Sequence, residues 1–151
     1  MNKKNLLKMA ALLESNAANS KGMKFDLHTV AGWVDDEFVP PSARKLDVSC
    51  NTVGCAIGLA AVSRAFEKDG LGFTLNTNNN CIEMNINGED AGFISVGIRL
   101  FDIDSNTSIM FFDPSSYCGG TIIGAEGELR VAKRIRRYVE SDGDYVANRS
   151  D

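Results

Sequence analysis

The stretch from residue 50 to residue 66, Cys-Asn-Thr-Val-Gly-Cys-Ala-Ile-Gly-Leu-Ala-Ala-Val-Ser-Arg-Ala-Phe, carries no charge before Arg64 and decides the fold of this chain. A helix that is apolar on all sides is typical of the middle of a domain. Its small residues form one face, at Gly54, Gly58, Ala61 and Ala65, and its bulkier residues form another, at Cys55, Leu59, Val62 and Phe66. We predict a buried central helix over 51–66, capped by Ser49 or Asn51.

Other segments around this helix show their own periodicity. Residues 3–15 predict an amphipathic helix, with an apolar face formed by Leu6, Met9, Ala10 and Leu13. The last helix is predicted over 125–139, with a core stripe formed by Leu129, Ala132, Ile135 and Val139. Two strand-like runs around a polar asparagine turn predict a β-hairpin at 72–86, and Gly70 is predicted to end the central helix as a left-handed cap.

Three further segments carry weaker signals of secondary structure. Residues 90–101 fit a helix or a strand, and we prefer the helix. A cap signal at Asp104 precedes a short predicted helix over 108–112. Pro40-Pro41 predicts an extended loop from about 35 to 47, which leads into the central helix.

The size and composition of the chain fit one ordinary soluble domain. It has 151 residues, of which 44% are hydrophobic and 24% charged. We predict a single α+β domain over 1–151, mostly helical, built around the buried central helix, with one β-hairpin and a frayed tail after about residue 141. The net charge of −4 argues against a nucleic-acid binder, which usually carries a basic surplus. The oligomeric state stays open.

The sequence also indicates a cellular compartment. The N-terminus has charge but no apolar run behind it, so we expect no signal peptide. No stretch reaches the roughly 18 apolar residues that a membrane span needs. We therefore expect a cytoplasmic protein, whose four cysteines stay reduced.

Cys50 is the candidate nucleophile. A thiol at a helix N-terminus has its pKa lowered by the unpaired N–H groups and the helix dipole, and His28, the one histidine of the chain, would be its base. The alternative is a small buried side chain without reactivity. Zinc binding by the four cysteines and His28 is disfavoured, because Cys50 and Cys55, the closest pair, do not form a short knuckle. We expect no metal.

The last helix carries the best ligand signal in the chain. Four cations share a face at helical spacing, namely Arg130, Lys133, Arg134 and Arg137. They would hold phosphate, an anionic nucleotide or an acidic partner; the alternative is a solvated face paired with Glu126, Glu128 and Glu140. Asn51 and Thr52, at the predicted helix entry, are further candidates for binding an anion. Trp33 is either a core residue or an anchor for a partner.

Two segments, Phe25-Asp-Leu and Cys50-Asn-Thr-Val-Gly-Cys-Ala-Ile-Gly-Leu-Ala, carry a resemblance. They resemble a group of small uncharacterised proteins from tailed phages and bacteria whose core reads Phe-Asp-Met, a loop, then Cys-Gly-Thr-Val-Ala-Cys-Ala-x-Gly-His/Trp-Ala. The group also tends to end in a helix with Ala-x-x-Arg-Ile, similar to the segment at 132–135. This chain departs from the pattern at Asn51, Gly54 and Leu59, which puts any role of the last position in doubt.

The resemblance implies a setting rather than an activity. It implies a phage accessory protein in the host cytoplasm, acting on a host factor or a host defence system. Our leading hypothesis is therefore a non-enzymatic module that binds a host protein or a small anionic ligand, without a cofactor. The alternative is a cysteine-dependent hydrolase or transferase that uses Cys50 and His28.

Overall fold

The computed structural model has an α+β fold, as the sequence predicts. It describes residues 1–28, 31–33, 52–76, 81–117 and 122–147, with the backbone alone at residues 31–33, 52, 53 and 81. The helices in these ranges are α1 (Lys3–Ala17), α2 (Ala56–Val62), α3 (Phe93–Phe101), α4 (Ser105–Phe112) and α5 (Gly124–Glu140). The strands are β1 (Lys24–Phe25), β2 (Ala31–Trp33), β3 (Thr52–Gly54), β4 (Leu71–Asn76), β5 (Cys81–Ile86) and β6 (Glu89–Asp90).

The strands of the described ranges form one mixed sheet in the order β1-β3-β2-β5-β4, with β6 also paired to β5. β1 and β3 run parallel, whereas the other pairs are antiparallel. β4 and β5 pair along their whole length, which confirms the predicted hairpin at 72–86. Strands β1, β2 and β3 have only two or three residues each, too few to show a period in the sequence.

The central helix is buried as predicted, but it is shorter than predicted. Helix α2 spans Ala56–Val62 rather than 51–66, and all of its residues are buried. The predicted first turn is instead strand β3, which pairs with β1 on one side and β2 on the other. The β-branched pair Thr52-Val53 suits a strand, and the extended backbone of Cys55 makes it the N-cap of α2. Gly70 has the predicted left-handed backbone, but it follows a short 3₁₀ turn at Glu67–Asp69.

Helices α1 and α5 pack along each other and form one side of the core. The predicted apolar face of α1 is confirmed, since Leu6, Met9, Ala10 and Leu13 are all buried. On α5 the buried hydrophobic residues are Val131, Ala132, Ile135 and Tyr138, while Leu129 is 49% exposed. The predicted stripe is therefore wrong at Leu129, because the neighbouring helices select a face that is rotated away from it.

Helix α3 confirms the preference for a helix over 90–101. It packs closely against α4 at Gly97, where an added Cβ would overlap the Ser108 hydroxyl and lie 3.2 Å from the Phe112 ring. Glycine at this position lets the two helices approach each other. The Ser108 hydroxyl in turn donates to the Ile94 carbonyl at 3.0 Å, so the contact also ties the two helices together by a hydrogen bond.

Helix α4 begins three residues earlier than predicted, but the cap signal is confirmed. The Asp104 carboxylate accepts from the Thr107 N–H at 2.9 Å and from the Thr107 hydroxyl at 2.8 Å. These hydrogen bonds hold the pKa of Asp104 below its usual value. The cap fixes the start of the helix and hence the face that α4 turns toward α5.

The segment after α5 continues as a hydrogen-bonded turn. Gly143 has a left-handed backbone and donates its N–H to the Tyr138 carbonyl at 2.9 Å. Asp142 pairs with Lys3 of α1 at 2.7 Å. Within the described ranges, no helix is both long and apolar enough to cross a bilayer.

Candidate functional site: a thiol and an imidazole in one cavity

The cysteine at the start of the central helix is Cys55 and not Cys50. Cys50 and Asn51 lie outside the described residues, and Thr52 contributes its backbone to strand β3. Because α2 begins after Cys55, the argument that placed Cys50 at a helix N-terminus is wrong. The residue in that position is Cys55, which the sequence reasoning assigned to the bulky core face.

The Cys55 thiol is buried and held by backbone amides. Its side chain belongs to the core, with 4% exposure, and its sulfur accepts a hydrogen bond from the Gly58 N–H at 3.4 Å. Burial raises the pKa of Cys55, and the N–H groups around the sulfur oppose that rise only in part. The thiol is therefore protonated at neutral pH, and it needs a base to become a nucleophile.

His28 lies three residues after the end of strand β1 and is held by Asp26. Oδ1 of Asp26 accepts a hydrogen bond from the His28 backbone N–H at 2.9 Å and lies 3.2 Å from Nδ1 of the imidazole. The His28 side chain is 65% exposed. Asp26 is itself fixed, because its N–H donates to the Gly54 carbonyl at 3.1 Å. A carboxylate at Nδ1 orients an imidazole so that Nε2 is available as a base.

Cys55 and His28 line the same cavity, which has a volume of about 240 Å³. Asp113 adds a carboxylate to the lining, and its Oδ1 accepts from the Ser115 N–H at 2.8 Å. The rest of the wall is apolar, formed by Leu27, Phe93, Phe112 and Pro114. The cavity thus brings together a thiol and an imidazole, the nucleophile and the base of cysteine-dependent acyl transfer.

Two of the residues in this site were missed by sequence reasoning. Asp26 stands in a short segment without a period, and Asp113 directly follows the short helix predicted over 108–112. Strand β1 lies beside β3, with Phe25 opposite Gly54, so the two segments that carry the resemblance are neighbours. The spacing of Asp26 and His28, two residues apart, was the available signal, because an aspartate there can accept a local hydrogen bond.

The predicted cationic face of α5 is broken at Arg134. This side chain is fully buried; its guanidinium donates to the carbonyls of Met110 at 2.9 Å and Ser116 at 3.0 Å. It also stacks on the Tyr117 ring, with 3.6 Å from Cζ to the ring centroid. Arg134 is thus a core residue joining α5 to α4 and the following turn, and its prediction as an anion-binding surface residue is wrong.

The other cations of α5 remain nearer the surface. Lys133 is exposed, and Arg130 and Arg137 are partly exposed. Arg136, which is not on the predicted face, forms a two-point ion pair with Glu14 of α1, with both N–O distances at 2.6 Å. This pair lowers the pKa of Glu14. The cationic side chains of α5 therefore differ in role. Of the four residues predicted to form the cationic face, only three are exposed or partly exposed to solvent.

Glu128 is buried rather than part of a solvated ion-pair face. Its side chain is 2% exposed, and Oε1 accepts from Nδ2 of Asn16 at 2.6 Å. Burial raises the pKa of Glu128 from its usual value of 4.5 to about 7, while the Asn16 hydrogen bond opposes the rise. The interpretation of Glu128 as a surface partner for the α5 cations is wrong, because α1 covers this part of the helix.

Several of the other predicted site residues lie wholly or partly outside the described residues. The backbone of Trp33 lies in β2, opposite Thr52 of β3, and its side chain is outside the described set. Cys50 and Cys118 are also outside it, as is the Cys81 side chain. Among the residues that are described, no three histidine, cysteine, aspartate or glutamate side chains are grouped as a metal site.

The chain was compared with known proteins at the levels of sequence and structure. No protein-family model, no curated protein and no solved structure matches it.

Proposed function

We propose that the cavity beside α2 is a thiol-dependent acyl-transfer site, in which Cys55 is the nucleophile and His28 the base. The observation that carries the proposal is that Cys55 and His28 line one cavity, with Asp26 beside the imidazole. The class of activity is a cysteine-dependent hydrolase or transferase. It is the alternative reached from the sequence, with Cys55 in place of Cys50.

The chemistry follows from the protonated state of the thiol. As the Cys55 sulfur attacks the carbonyl carbon of an acyl substrate, the S–C bond forms and the thiol proton passes to Nε2 of His28. The imidazolium then protonates the leaving group as the bond to that group breaks. Water or an acceptor amine or alcohol releases the acyl group from the sulfur. The adjacent Asp26 carboxylate would stabilise the imidazolium, as the aspartate of a serine–histidine–aspartate triad does.

The test is a single-turnover acylation assay with p-nitrophenyl acetate. The expected result is an acetyl group on Cys55, located by peptide mass spectrometry, and a labelling rate that falls about 100-fold in His28→Ala. Asp26→Asn should give a smaller loss. Cys81→Ala is the matched control for a second thiol of the chain and should label as the wild type does. An acetyl group that spares Cys55, or a rate unchanged in His28→Ala, would refute the proposal.

A second candidate is the non-enzymatic binding module of a phage-type accessory protein, acting on an acidic host factor or a small anionic ligand. It is favoured by the spacing of Arg130, Lys133 and Arg137, which share one face of α5 and reach the surface. Lys133→Glu should weaken binding of an anionic probe such as ATP in a titration calorimeter. Lys4→Glu, on an exposed position of α1, is the control. Equal affinities for ATP in the two variants would exclude this surface.

A further inference from the structure

A second cavity lies beside the one that contains Cys55 and His28. Its volume is about 470 Å³, within the range of ligand sites. Its walls come from strand β5 and from residues 90–93, which lead into α3. Phe93 lines this cavity and also the cavity at Cys55. A substrate held at Cys55 therefore has room to continue past Phe93, and we call the two cavities together the Phe93 groove.

The second cavity has an apolar floor and an acidic rim. Ile82 and Met84 of β5 are buried, with exposures of 4% and 6%. Glu83, which lies between them, and Asp90 are both exposed, and all four residues line the cavity. A lysine or arginine side chain suits such a surface, because its hydrocarbon stem packs on apolar groups while its charged end reaches a carboxylate.

The carboxylates extend along the whole Phe93 groove. Glu83 and Asp90 lie on one side of Phe93, and Asp113 lies on the other side, in the cavity with Cys55. Among the described residues that line the two cavities, none is a lysine or an arginine. The charge of the groove is therefore complementary to a cationic substrate and repels an anionic one.

An organic cation fits these carboxylates better than a metal ion does. Within the described part of the chain, no three histidine, cysteine, aspartate or glutamate side chains are grouped around one point, whereas Ca²⁺ takes six to eight oxygen ligands. Oε1 of Glu83 already accepts a hydrogen bond from Nδ2 of Asn76 at 2.6 Å. A guanidinium or ammonium group needs only one carboxylate at each position.

We propose that the acyl donor of the Cys55 site is a basic peptide. Its reacting carbonyl lies at Cys55, and its arginine or lysine side chains extend past Phe93 to Glu83 and Asp90. A peptide supplies both a carbonyl carbon and cationic side chains on one chain. The proposal rests on the acyl-transfer function proposed above. With a peptide thioester as donor, the S–C bond to Cys55 forms, the bond to the thiol leaving group breaks, and the Cys55 proton leaves with that group through His28.

A peptide that cannot react tests the Phe93 groove apart from the chemistry. Acetyl-Arg-Ala-Arg-Gly amide is titrated into the full chain at low ionic strength, where charge pairing is least screened, and amide chemical shifts are followed. We expect saturable shifts at Gly92, at Phe93 and along β5. The uncharged peptide acetyl-Gln-Ala-Gln-Gly amide should bind at least about tenfold more weakly.

Benzyl thioesters of the same two peptides test the groove together with the thiol. The arginine peptide should acylate Cys55 at least about tenfold faster than the glutamine peptide, as measured by mass spectrometry. In the double variant Glu83→Gln/Asp90→Asn this ratio should fall below about threefold. The ratio is taken within one protein, so a change in the reactivity of the thiol itself cancels.

The matched control is the double variant Glu67→Gln/Glu126→Gln. Both glutamates are exposed and neither lines the Phe93 groove, so the net charge changes equally while the groove stays intact. This variant should keep the wild-type ratio. Equal binding of the arginine and glutamine amides would overturn the proposal, and so would equal ratios in the two double variants.

Failure of the acyl-transfer function gives a different result. Cys55 would then remain unlabelled by p-nitrophenyl acetate and by both thioesters, and the basic donor would be refuted with it. Labelling of Cys55 by p-nitrophenyl acetate, without a preference for the arginine thioester, would overturn the basic donor alone and leave acyl transfer in place.

Discussion

Replacing Glu128 by glutamine should make the protein more stable at neutral and alkaline pH, and the gain should disappear in acid. Glutamine has nearly the shape of a protonated glutamate. Its carbonyl oxygen can accept the hydrogen bond from Asn16 that Glu128 accepts at 2.6 Å. It cannot ionise, so the variant avoids placing a negative charge in a position that is 2% exposed.

The magnitude follows from the pKa of Glu128, which burial raises from 4.5 to about 7. A raised carboxyl pKa means that the folded state holds its proton more tightly than the unfolded chain. The contribution to stability is complete below about pH 4.5 and is lost progressively as the pH rises to about 7. The loss at higher pH is about 3 kcal/mol, since each pKa unit corresponds to about 1.4 kcal/mol.

The measurement is urea unfolding of both proteins at about pH 4 and about pH 8, followed by far-ultraviolet circular dichroism. The difference between variant and wild type should be near zero in acid and about 3 kcal/mol in favour of the variant in alkali. Glu14 and Asp104 have lowered pKa values and change stability in the opposite sense, but they are present in both proteins and cancel. A difference that does not change with pH would refute the reasoning.

Three further substitutions test the packing that positions the sites. Arg134→Met should lower the free energy of unfolding by about 3 kcal/mol, because the carbonyls of Met110 and Ser116 lose their charged donor. Lys133→Met, at an exposed position, should change it by less than about 0.5 kcal/mol in the same urea titration. Gly97→Ala should lower it by about 1–3 kcal/mol, since the new methyl group overpacks the contact with α4; an unchanged melting temperature would contradict this. Replacing Glu14 by Gln should cost about 0.5–1 kcal/mol through loss of the ion pair to Arg136, and a double-mutant cycle with Arg136→Gln should show that the two effects are coupled.

The helices with a clear period were predictable because their burial pattern is local. Residues 3–15 carry four apolar residues at helical spacing, so the face that is buried can be read from this segment alone. The hairpin at 72–86 was predictable for the same reason, since its two strand-like runs are neighbours in the sequence and pair with each other. In both cases the pattern that predicts the element lies within the element itself.

The start of the central helix was not predictable from local pattern. Thr52–Gly54 is a strand only because β1 and β2 supply partners on both of its edges. An uncharged run is compatible with a buried helix and with a buried strand, and tertiary pairing decides between them. Because residues 52–54 form a strand, the cysteine at the start of the helix is Cys55 and not Cys50. The candidate nucleophile changes accordingly.

By itself, the sequence determined the α+β class and the buried position of the helix at its centre, and it raised the hypothesis that His28 acts with a thiol. Only the tertiary structure decided that Cys55 shares a cavity with His28, that Arg134 is buried and that Glu128 lies in a cleft. The physical reason is that these properties depend on contacts between distant segments. The period of α5 shows which residues share a face, but α1 and α4 determine which of those faces, and therefore which charges, are removed from water.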